Sequence, residues 1–230
     1  MRLHSSFPFF CVGLAAILTS VAFMGAAADW PQFRGPNRDG HWNESGILER
    51  FPKEGLKIRW RHPVGGGFSS PVVAEGKAFV MDVEMTKPTS RERVHCYEEK
   101  TGKVLWDYVY EEHYGEWAFV PERGAGPTAT PIVEQGRIYT VGANGFVHCL
   151  DTKTGKVIWE KNLWQEYTVE EMGCRPSPLI EGSNTLVECG SSLLASTVVS
   201  ASSTNPAAST SLRTAAGSIR CSDSGSCRVR

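Results

Sequence analysis

The sequence carries almost no net charge. Its 24 Lys and Arg residues nearly balance 25 Asp and Glu residues, and the formal net charge of the 230-residue chain at pH 7 is -1. A charge this close to zero provides no field that would attract nucleic acid or an anionic membrane surface. With 41% hydrophobic and 21% charged residues, the composition is that of an ordinary globular protein. We therefore expect no nucleic-acid partner.

Long hydrophobic runs are also scarce, with one exception at the N-terminus. Arg2 precedes an apolar run from about Phe7 to Phe23, and three small residues follow, ending at Ala28. This order is typical of a secretory signal peptide, which we place at residues 1–28. The alternative is an uncleaved anchor, but the run is only marginally long enough to cross about 30 Å of hydrocarbon. We predict cleavage, export to the periplasm or beyond, and no stable membrane span afterwards.

The strongest positive pattern is an internal repeat. Residues 94–106 (VHCYEEKTGKVLW) and 147–159 (VHCLDTKTGKVIW) are near-copies, offset by 53 residues. Upstream, residues 69–80 match residues 129–140 at an offset of 60. The difference falls on the polar segment 85–93, which we interpret as a loop insertion in the first copy. A fixed period of this size indicates a repeat architecture.

Each copy is predicted to form four short strands separated by polar, glycine-containing turns. In the second copy, Asp151 can accept a backbone hydrogen bond, and Gly155 can adopt a positive φ before the next strand begins. A Trp just after this turn can lie flat on the neighbouring unit and bury a large apolar area. The motif residues of the two copies are Glu98, Thr101, Gly102, Trp106, Asp151, Thr154, Gly155 and Trp159.

These residues resemble the repeat of the quinoprotein-like, or pyrroloquinoline quinone (PQQ)-like, β-propeller family, Ala-x-Asp-x-x-Thr-Gly-x-x-x-Trp. The resemblance covers roughly residues 29–189, and residues 29–40 are similar to secreted members from planctomycete-type bacteria. Cys149 stands where the family usually has Ala. Glu98 replaces the Asp in the first copy, which predicts a less well capped turn. The family resemblance implies an all-β fold with two to three four-stranded blades of an incomplete propeller, at about 66–110, 124–165 and, in part, 174–190.

The C-terminal part departs from the repeat pattern. A third copy begins at residues 177–182, but no Thr-Gly-Lys…Trp follows, and residues 191–230 are rich in Ser, Ala and Thr. One interpretation is a disordered tail. We favour a slipped reading frame or truncation, because the change falls inside a strand. The repeat region would then be 29–190, and its outer strand at 56–61 would lack its partners, since closed propellers need about four to eight blades.

Two functional classes are compatible with the family resemblance. The first, which we favour, is a noncatalytic binding or scaffold module for protein or polysaccharide, as in BamB-like propellers. The alternative is a PQQ-dependent dehydrogenase that oxidises an alcohol or a polymer hydroxyl of the polyvinyl-alcohol type, with Ca²⁺ beside the quinone. PQQ and Ca²⁺ are expected only under this alternative. The site, not the fold, decides between the two.

Few residues stand out as chemical candidates. Glu116, Glu122 and Asn144 carry oxygens that could bind Ca²⁺, but no motif surrounds them. His95 and His148 repeat in register, which favours a role in the fold over a role as ligands. We assign no catalytic or metal-binding residue.

One loop and the cysteines complete the set of expectations. The segment between the two copies contains Trp117 and Phe119, which we predict to contact a partner or, alternatively, to seal the groove between blades. Cys96 and Cys149 occupy equivalent positions, and such positions usually lie beyond the roughly 7 Å limit for a disulfide. We expect them to be buried free thiols. The cysteines have no Cys-x-x-Cys spacing, so a zinc site is not supported.

Overall fold

The structure, a computed structural model, is almost entirely β. It describes residues 28–120, 124–166, 174–182, 184–189, 197–202, 211–214, 217–221 and 227–229. The predicted signal peptide, apart from Ala28, lies outside the described residues, as does Glu122. Among the described residues, no helix has the length and apolar character needed to cross a membrane.

The two repeats each fold into a four-stranded antiparallel sheet with strands in chain order. The first sheet contains β1 (Val72–Ala74), β2 (Lys77–Glu84), β3 (Ser90–Glu98) and β4 (Val104–Glu112). The second contains β5 (Ile132–Glu134), β6 (Arg137–Val141), β7 (Phe146–Asp151) and β8 (Val157–Asn162). A 3₁₀ turn at Glu116–Phe119 follows β4, and a short helix, α1 (Leu163–Glu166), follows β8. The predicted all-β fold with four-stranded blades is confirmed.

The sequence repeat is reproduced in the details of the strands. The pairing of β3 with β4 shifts between Cys96 and Tyr97, and that of β7 with β8 shifts between Cys149 and Leu150. These irregularities fall at equivalent positions, just before the turn of each repeat. They increase the local twist of the sheet and re-aim the residues that follow.

The third sheet is larger than a single blade. It runs in the order β14-β13-β12-β11-β10-β9. Its strands are β9 (Leu179–Glu181), β10 (Asn184–Cys189), β11 (Thr197–Ser202), β12 (Ser211–Thr214), β13 (Gly217–Cys221) and β14 (Cys227–Val229). The last four lie in the segment for which disorder was one expectation. Consecutive strands of this segment pair antiparallel, and the expectation for the segment as a whole stays a prediction. The reading-frame hypothesis stays a prediction.

The hydrophobic core lies between neighbouring sheets. Phe79 and Met81 of β2 pack against Ile138 of β6 and Leu150 of β7, all at most 2% exposed. A second cluster joins the second sheet to Val187 of β10. Cys96 and Cys149 are buried free thiols within these two clusters, whereas Cys174 is disulfide-bonded. The first and second sheets therefore bury apolar residues against each other.

Candidate functional site

The turn before the last strand of each repeat has a defined geometry. In the second sheet, Oδ1 of Asp151 accepts the backbone N–H groups of Lys153 and Thr154 at 3.1 and 2.8 Å, and the Thr154 hydroxyl at 2.8 Å. These hydrogen bonds lower the pKa of the Asp151 carboxyl. In the first sheet, the carboxylate of Glu98 accepts the Thr101 hydroxyl. The longer Glu side chain thus bonds the turn through a hydroxyl rather than through backbone groups.

A Trp from the preceding unit packs on each of these turns. Gly155 has φ 69°, and a Cβ there would lie 2.7 Å from the ring of Trp106, whose Nε1–H donates to the Thr152 carbonyl at 3.1 Å. Gly102 has φ 73° and faces the ring of Trp60 in the same way. Each glycine therefore provides both a left-handed backbone and room for an indole.

Trp60 is a motif residue that the repeat analysis missed. Its Nε1–H donates to the carbonyl of Glu99 at 2.7 Å, which matches the bond of Trp106 to the next turn. The signal was present in the sequence, since residues 57–60 (KIRW) have the pattern of residues 103–106 (KVLW). Residues 56–60 thus supply the Trp of a preceding unit to the first sheet.

Trp159 is the third residue of this series and has a different environment. It is 5% exposed, and its Nε1 has no hydrogen-bond partner within the described part of the chain. The third unit lacks the Thr-Gly-Lys segment whose backbone would provide the acceptor. Trp159 therefore keeps the apolar packing of the motif, without the polar contact as far as the described residues show.

The first histidine of the repeat lies in a network of charges. Arg93 binds both carboxylate oxygens of Asp82 at 2.7 and 2.8 Å, and His95 Nε2 lies 3.2 Å from Asp82 Oδ1. The Nδ1 atom of His95 lies 2.7 Å from Asp107 Oδ1. Burial alone would raise the pKa of Asp82, but the bonds from His95 and Arg93 hold it well below its usual range. Burial likewise opposes protonation of His95, yet the two carboxylates raise its pKa.

The equivalent His148 lies in an aromatic enclosure instead. Its ring stacks on Phe146 at 4.6 Å between centroids and lies 4.4 Å from Tyr110 and 5.1 Å from Tyr108. The side chain is fully buried, and neither ring nitrogen has a hydrogen-bond partner among the described residues. Burial lowers its pKa to about 3. His95 is thus held by charged neighbours and His148 by aromatic ones, and neither belongs to a group of potential metal ligands among the residues that the structure describes.

Two buried carboxyl groups lie between the first and second sheets. Glu92 is fully buried and accepts the hydroxyls of Tyr110 and Tyr114 and the backbone N–H of Ala143 at 3.1 Å. Burial and the charge of Glu112 raise the pKa of Glu92 to about 7. Burial also raises the pKa of Glu112. No sequence motif marked this pair, because its members meet only when the two sheets pack.

Glu112 lines a cleft of about 410 Å³ at the same junction. Its Oε1 accepts the Asn144 amide at 3.0 Å and the His113 backbone N–H at 2.9 Å, while its Oε2 is buried without a hydrogen-bond partner among described residues. Phe146 and Trp164 contribute rings to the cleft. The recess therefore combines a buried carboxyl group with aromatic surface.

Two of the three calcium candidates, Glu116 and Asn144, lie in the described part of the chain, and the structure does not bring them together. Glu116 is 85% exposed at its side chain and pairs with Lys87 at 2.5 Å, whereas Asn144 is buried and bonds Glu112. Across the residues that the structure describes, no three His, Cys, Asp or Glu side chains form a potential metal site. These residues do not fit a quinone-associated Ca²⁺ centre, which needs six to eight converging oxygens.

Trp117 and Phe119 lie half-buried on the 3₁₀ turn after β4. Both pack against a cluster that includes Val83 of the first sheet and Ala143 of the second. The ammonium group of Lys87 lies 4.8 Å from the Phe119 ring centroid. This position fits a seal between sheets and leaves part of each ring at the surface, so the predicted contact patch stays a prediction.

Comparison with known proteins identifies the class of the fold. Residues 90–196 match the family model described as outer membrane protein assembly factor BamB. The structure superimposes on quinohemoprotein alcohol dehydrogenase from Comamonas testosteroni with a TM-score of 0.56, 17% identity and coverage of 77% of this chain and 26% of that one. The fold is that of a β-propeller. Over residues 90–196 the sequence is similar to the PQQ-like repeat family, as the motif predicted.

Two curated relatives carry different functions. BamB of Alteromonas naphthalenivorans is 32% identical over 95 residues, which are 41% of this chain and 21% of that protein. The 1-butanol dehydrogenase (cytochrome c) of Thauera butanivorans is 23% identical over 160 residues, 66% of this chain and 21% of that protein. The chain therefore spans about a fifth of the length of each relative.

Proposed function

We propose that the chain is a noncatalytic binding and scaffold module of an exported, cell-envelope protein. The match of residues 90–196 to the BamB family model carries this proposal. That range includes all of β3 and β4, the second sheet, and the lining of the cleft beside Glu112 except Thr89. A propeller of this kind offers rigid blades and variable connecting loops, which suits recognition of a macromolecule. The partner is proposed to be a protein, with polysaccharide as the second possibility.

Export is part of the proposal and has its own test. The apolar run before Ala28 supports a cleaved signal peptide. N-terminal sequencing of the chain recovered from the periplasm or medium should begin at Asp29. A chain in the membrane fraction that still carries residues 2–28 would contradict cleavage and favour the uncleaved anchor.

A PQQ-dependent alcohol dehydrogenase is the second candidate function. The 1-butanol dehydrogenase relative supports it. Against it, Glu116 faces solvent and Asn144 is bonded to Glu112, so these two described candidates do not converge on one point.

One experiment separates the two functions. The purified full chain is incubated with PQQ and Ca²⁺, and alcohol-dependent reduction of an artificial dye is measured. The binding proposal predicts no turnover above that of the free cofactor. Turnover that requires both the chain and PQQ would overturn the proposal and establish the dehydrogenase.

The contact patch is tested by substitution. Trp117→Ala should lower the melting temperature if the ring seals the sheets, because loss of a buried aromatic costs about 3 kcal/mol or more. If the ring is instead a partner contact, the melting temperature will be unchanged and partner binding will fall. Phe33→Ala, at a 53% exposed ring away from this cluster, serves as the control.

A further inference from the structure

We propose that the cleft between residues 32–38 and the start of β9 binds an extended acidic segment of a partner polypeptide, with its carboxylates on Arg34 and Arg38. This arginine cleft has a volume of about 670 Å³. The inference rests on the proposed binding function and names the chemistry of the partner. It is carried by the charge of the lining, by the way the arginines are held, and by an open strand edge beside them.

The lining of the arginine cleft is positively charged. Arginines and hydroxyl residues contribute to it, and no Asp or Glu does so within the described chain: Arg34, Arg38, Arg175, Thr128, Thr130 and Ser177. Arg34 and Arg38 are exposed, and neither forms an ion pair with a described residue. The adjacent acid, Asp39, is engaged elsewhere, since its Oδ1 accepts the backbone N–H of His41 at 2.9 Å. The cleft therefore offers two guanidinium groups that lack a carboxylate.

Each of these guanidinium groups is anchored through one nitrogen. Nη2 of Arg34 donates to the carbonyl of Asp39 at 3.3 Å. Nε of Arg38 donates to Oε1 of Gln32 at 2.8 Å. A guanidinium group has three nitrogens, so donors remain on both side chains for charge-assisted bonds to a carboxylate.

The backbone of both arginines also indicates a role beyond the turn. Arg34 has φ 64° and Arg38 has φ 58°, which are left-handed conformations that a residue with a Cβ adopts at a cost. The carbonyl of Arg34 accepts the N–H of Gly40 at 3.0 Å, so the loop is closed on itself. A turn that only redirects the chain would favour Gly or Asn at such positions. The two side chains are thus presented from a fixed backbone.

The open strand edge follows from the repeat. The N–H of Val73 in β1 donates to the carbonyl of Trp30 at 3.0 Å. The N–H of Val133 in β5 donates to the carbonyl of Pro31 at 2.8 Å. Ile180 of β9 is the equivalent residue of the third unit, but it has no such bond to the described part of the N-terminal segment. β9 is the terminal strand of its sheet, and its first residue lines the arginine cleft.

An extended peptide satisfies both features. Its backbone can pair with the open edge of β9 as an added strand, and its alternate side chains then lie on one face. Acidic side chains on that face would reach the guanidinium groups. An acidic polysaccharide supplies carboxylates but has no peptide backbone to pair with a strand, so the edge favours the polypeptide.

The probe is acetyl-Thr-Glu-Val-Glu-Thr-amide, titrated into the ¹⁵N-labelled full chain and followed by the backbone amide signal of Ile180 in NMR spectra. We expect a saturable shift of that signal and an affinity that weakens as salt is added. The matched peptide with Gln in place of both Glu residues keeps the shape and loses the charge. We expect it to bind about tenfold more weakly, or weaker still.

Two variants locate the site. Arg34→Asn and Arg38→Asn each remove a guanidinium group, and Asn tolerates the left-handed backbone. Each should lower the affinity for the acidic peptide about tenfold and leave the melting temperature unchanged. Arg50→Asn, at an exposed position outside the cleft, is the matched control and should bind like the parent chain. If one variant is unstable, the other and the Gln peptide still decide the outcome.

Several results would overturn the inference. These are equal binding of the Gln peptide, an unshifted Ile180 amide, or the same loss of affinity in Arg50→Asn. Tighter binding of tetragalacturonate than of the acidic peptide would assign the cleft to an acidic polysaccharide instead. None of these readouts involves PQQ, so this inference can fail while the absence of dehydrogenase turnover stands.

Discussion

The indole of Trp106, at the end of one repeat, packs directly on Gly155 in the turn of the next. Its ring carbons Cδ2 and Cε3 would lie 2.7 Å from a Cβ at residue 155, and its Nε1–H donates to the carbonyl of Thr152. The contact links a strand of the first sheet to the turn of the second. It makes the glycine of the motif a packing requirement as well as a conformational one.

Gly155→Ala should therefore destabilise the fold more than a left-handed backbone alone explains. Gly136 is the matched control, since it has φ 75° and nothing within 4 Å of a Cβ. We expect Gly136→Ala to cost about 1–2 kcal/mol, the usual penalty for a left-handed residue with a Cβ. Gly155→Ala should cost at least about 1 kcal/mol more, because overpacking adds to the strain. Urea unfolding of both variants measures the difference, and equal losses would contradict the packing role.

The polar contact of the motif is tested by replacing Trp with Phe. Trp106→Phe removes a donor from the carbonyl of Thr152, and we expect a loss of about 1–3 kcal/mol. Trp159→Phe deletes the same atoms, but the Nε1–H it removes has no acceptor among the described residues. In chemical denaturation, Trp159→Phe should therefore lose at least about 1 kcal/mol less unfolding free energy than Trp106→Phe. A larger loss at Trp159 would mean that its indole has a partner beyond the described part of the chain.

Much of the blade could be predicted from the sequence because its determinants are local. Alternating apolar residues, a turn acid and a glycine act within a few positions, so two blades follow from two copies. The site could not be predicted in this way. Glu92 on β3 meets Ala143 in the connection after β6, and no spacing along the chain reveals this contact.

The two histidines show a second limit of the repeat argument. Aligned copies place Gly142 opposite Asp82 and Phe146 opposite Arg93. His95 therefore has charged neighbours, whereas His148 has aromatic ones. The identical residue at this repeat position predicted a shared role in the fold. The electrostatic environment of each histidine is instead set by neighbours that differ between the two repeats.

These environments predict opposite dependences of stability on pH. Burial lowers the pKa of His148 to about 3, below the value near 6.5 in the unfolded chain. The stability that the buried neutral imidazole gives the folded state is therefore lost progressively as pH falls below about 6.5. The raised pKa of His95 has the opposite effect. Protonated His95 stabilises the folded state fully below about pH 6.5, and this stabilisation is lost as pH rises through the folded-state pKa.

Substitution separates the two histidines. Relative to the parent chain, His148→Phe should become progressively more stable between about pH 6.5 and 4, because the unfolded chain no longer gains a proton at this position. For His95→Gln, the loss of stability relative to the parent chain should be greatest at low pH and shrink as pH rises above about 7. Unfolding free energies measured across this range check both trends. Parallel pH profiles for the two variants would contradict the assigned environments.

The buried carboxyl of Glu92 gives the last prediction. Its pKa is raised from 4.5 to about 7 by burial and by the charge of Glu112, so the unfolded chain releases this proton more readily than the folded one. The folded state is therefore penalised increasingly as pH rises from about 4.5 to 7, and the penalty is constant above that range. Glu92→Gln retains one acceptor for the tyrosine hydroxyls and carries no proton to lose. At pH 8 the variant should be more stable than the parent by on the order of 2 kcal/mol, and near pH 4 the two should unfold alike. A variant that loses stability equally at both pH values would show that the tyrosine bonds, and not the charge, determine the role of Glu92.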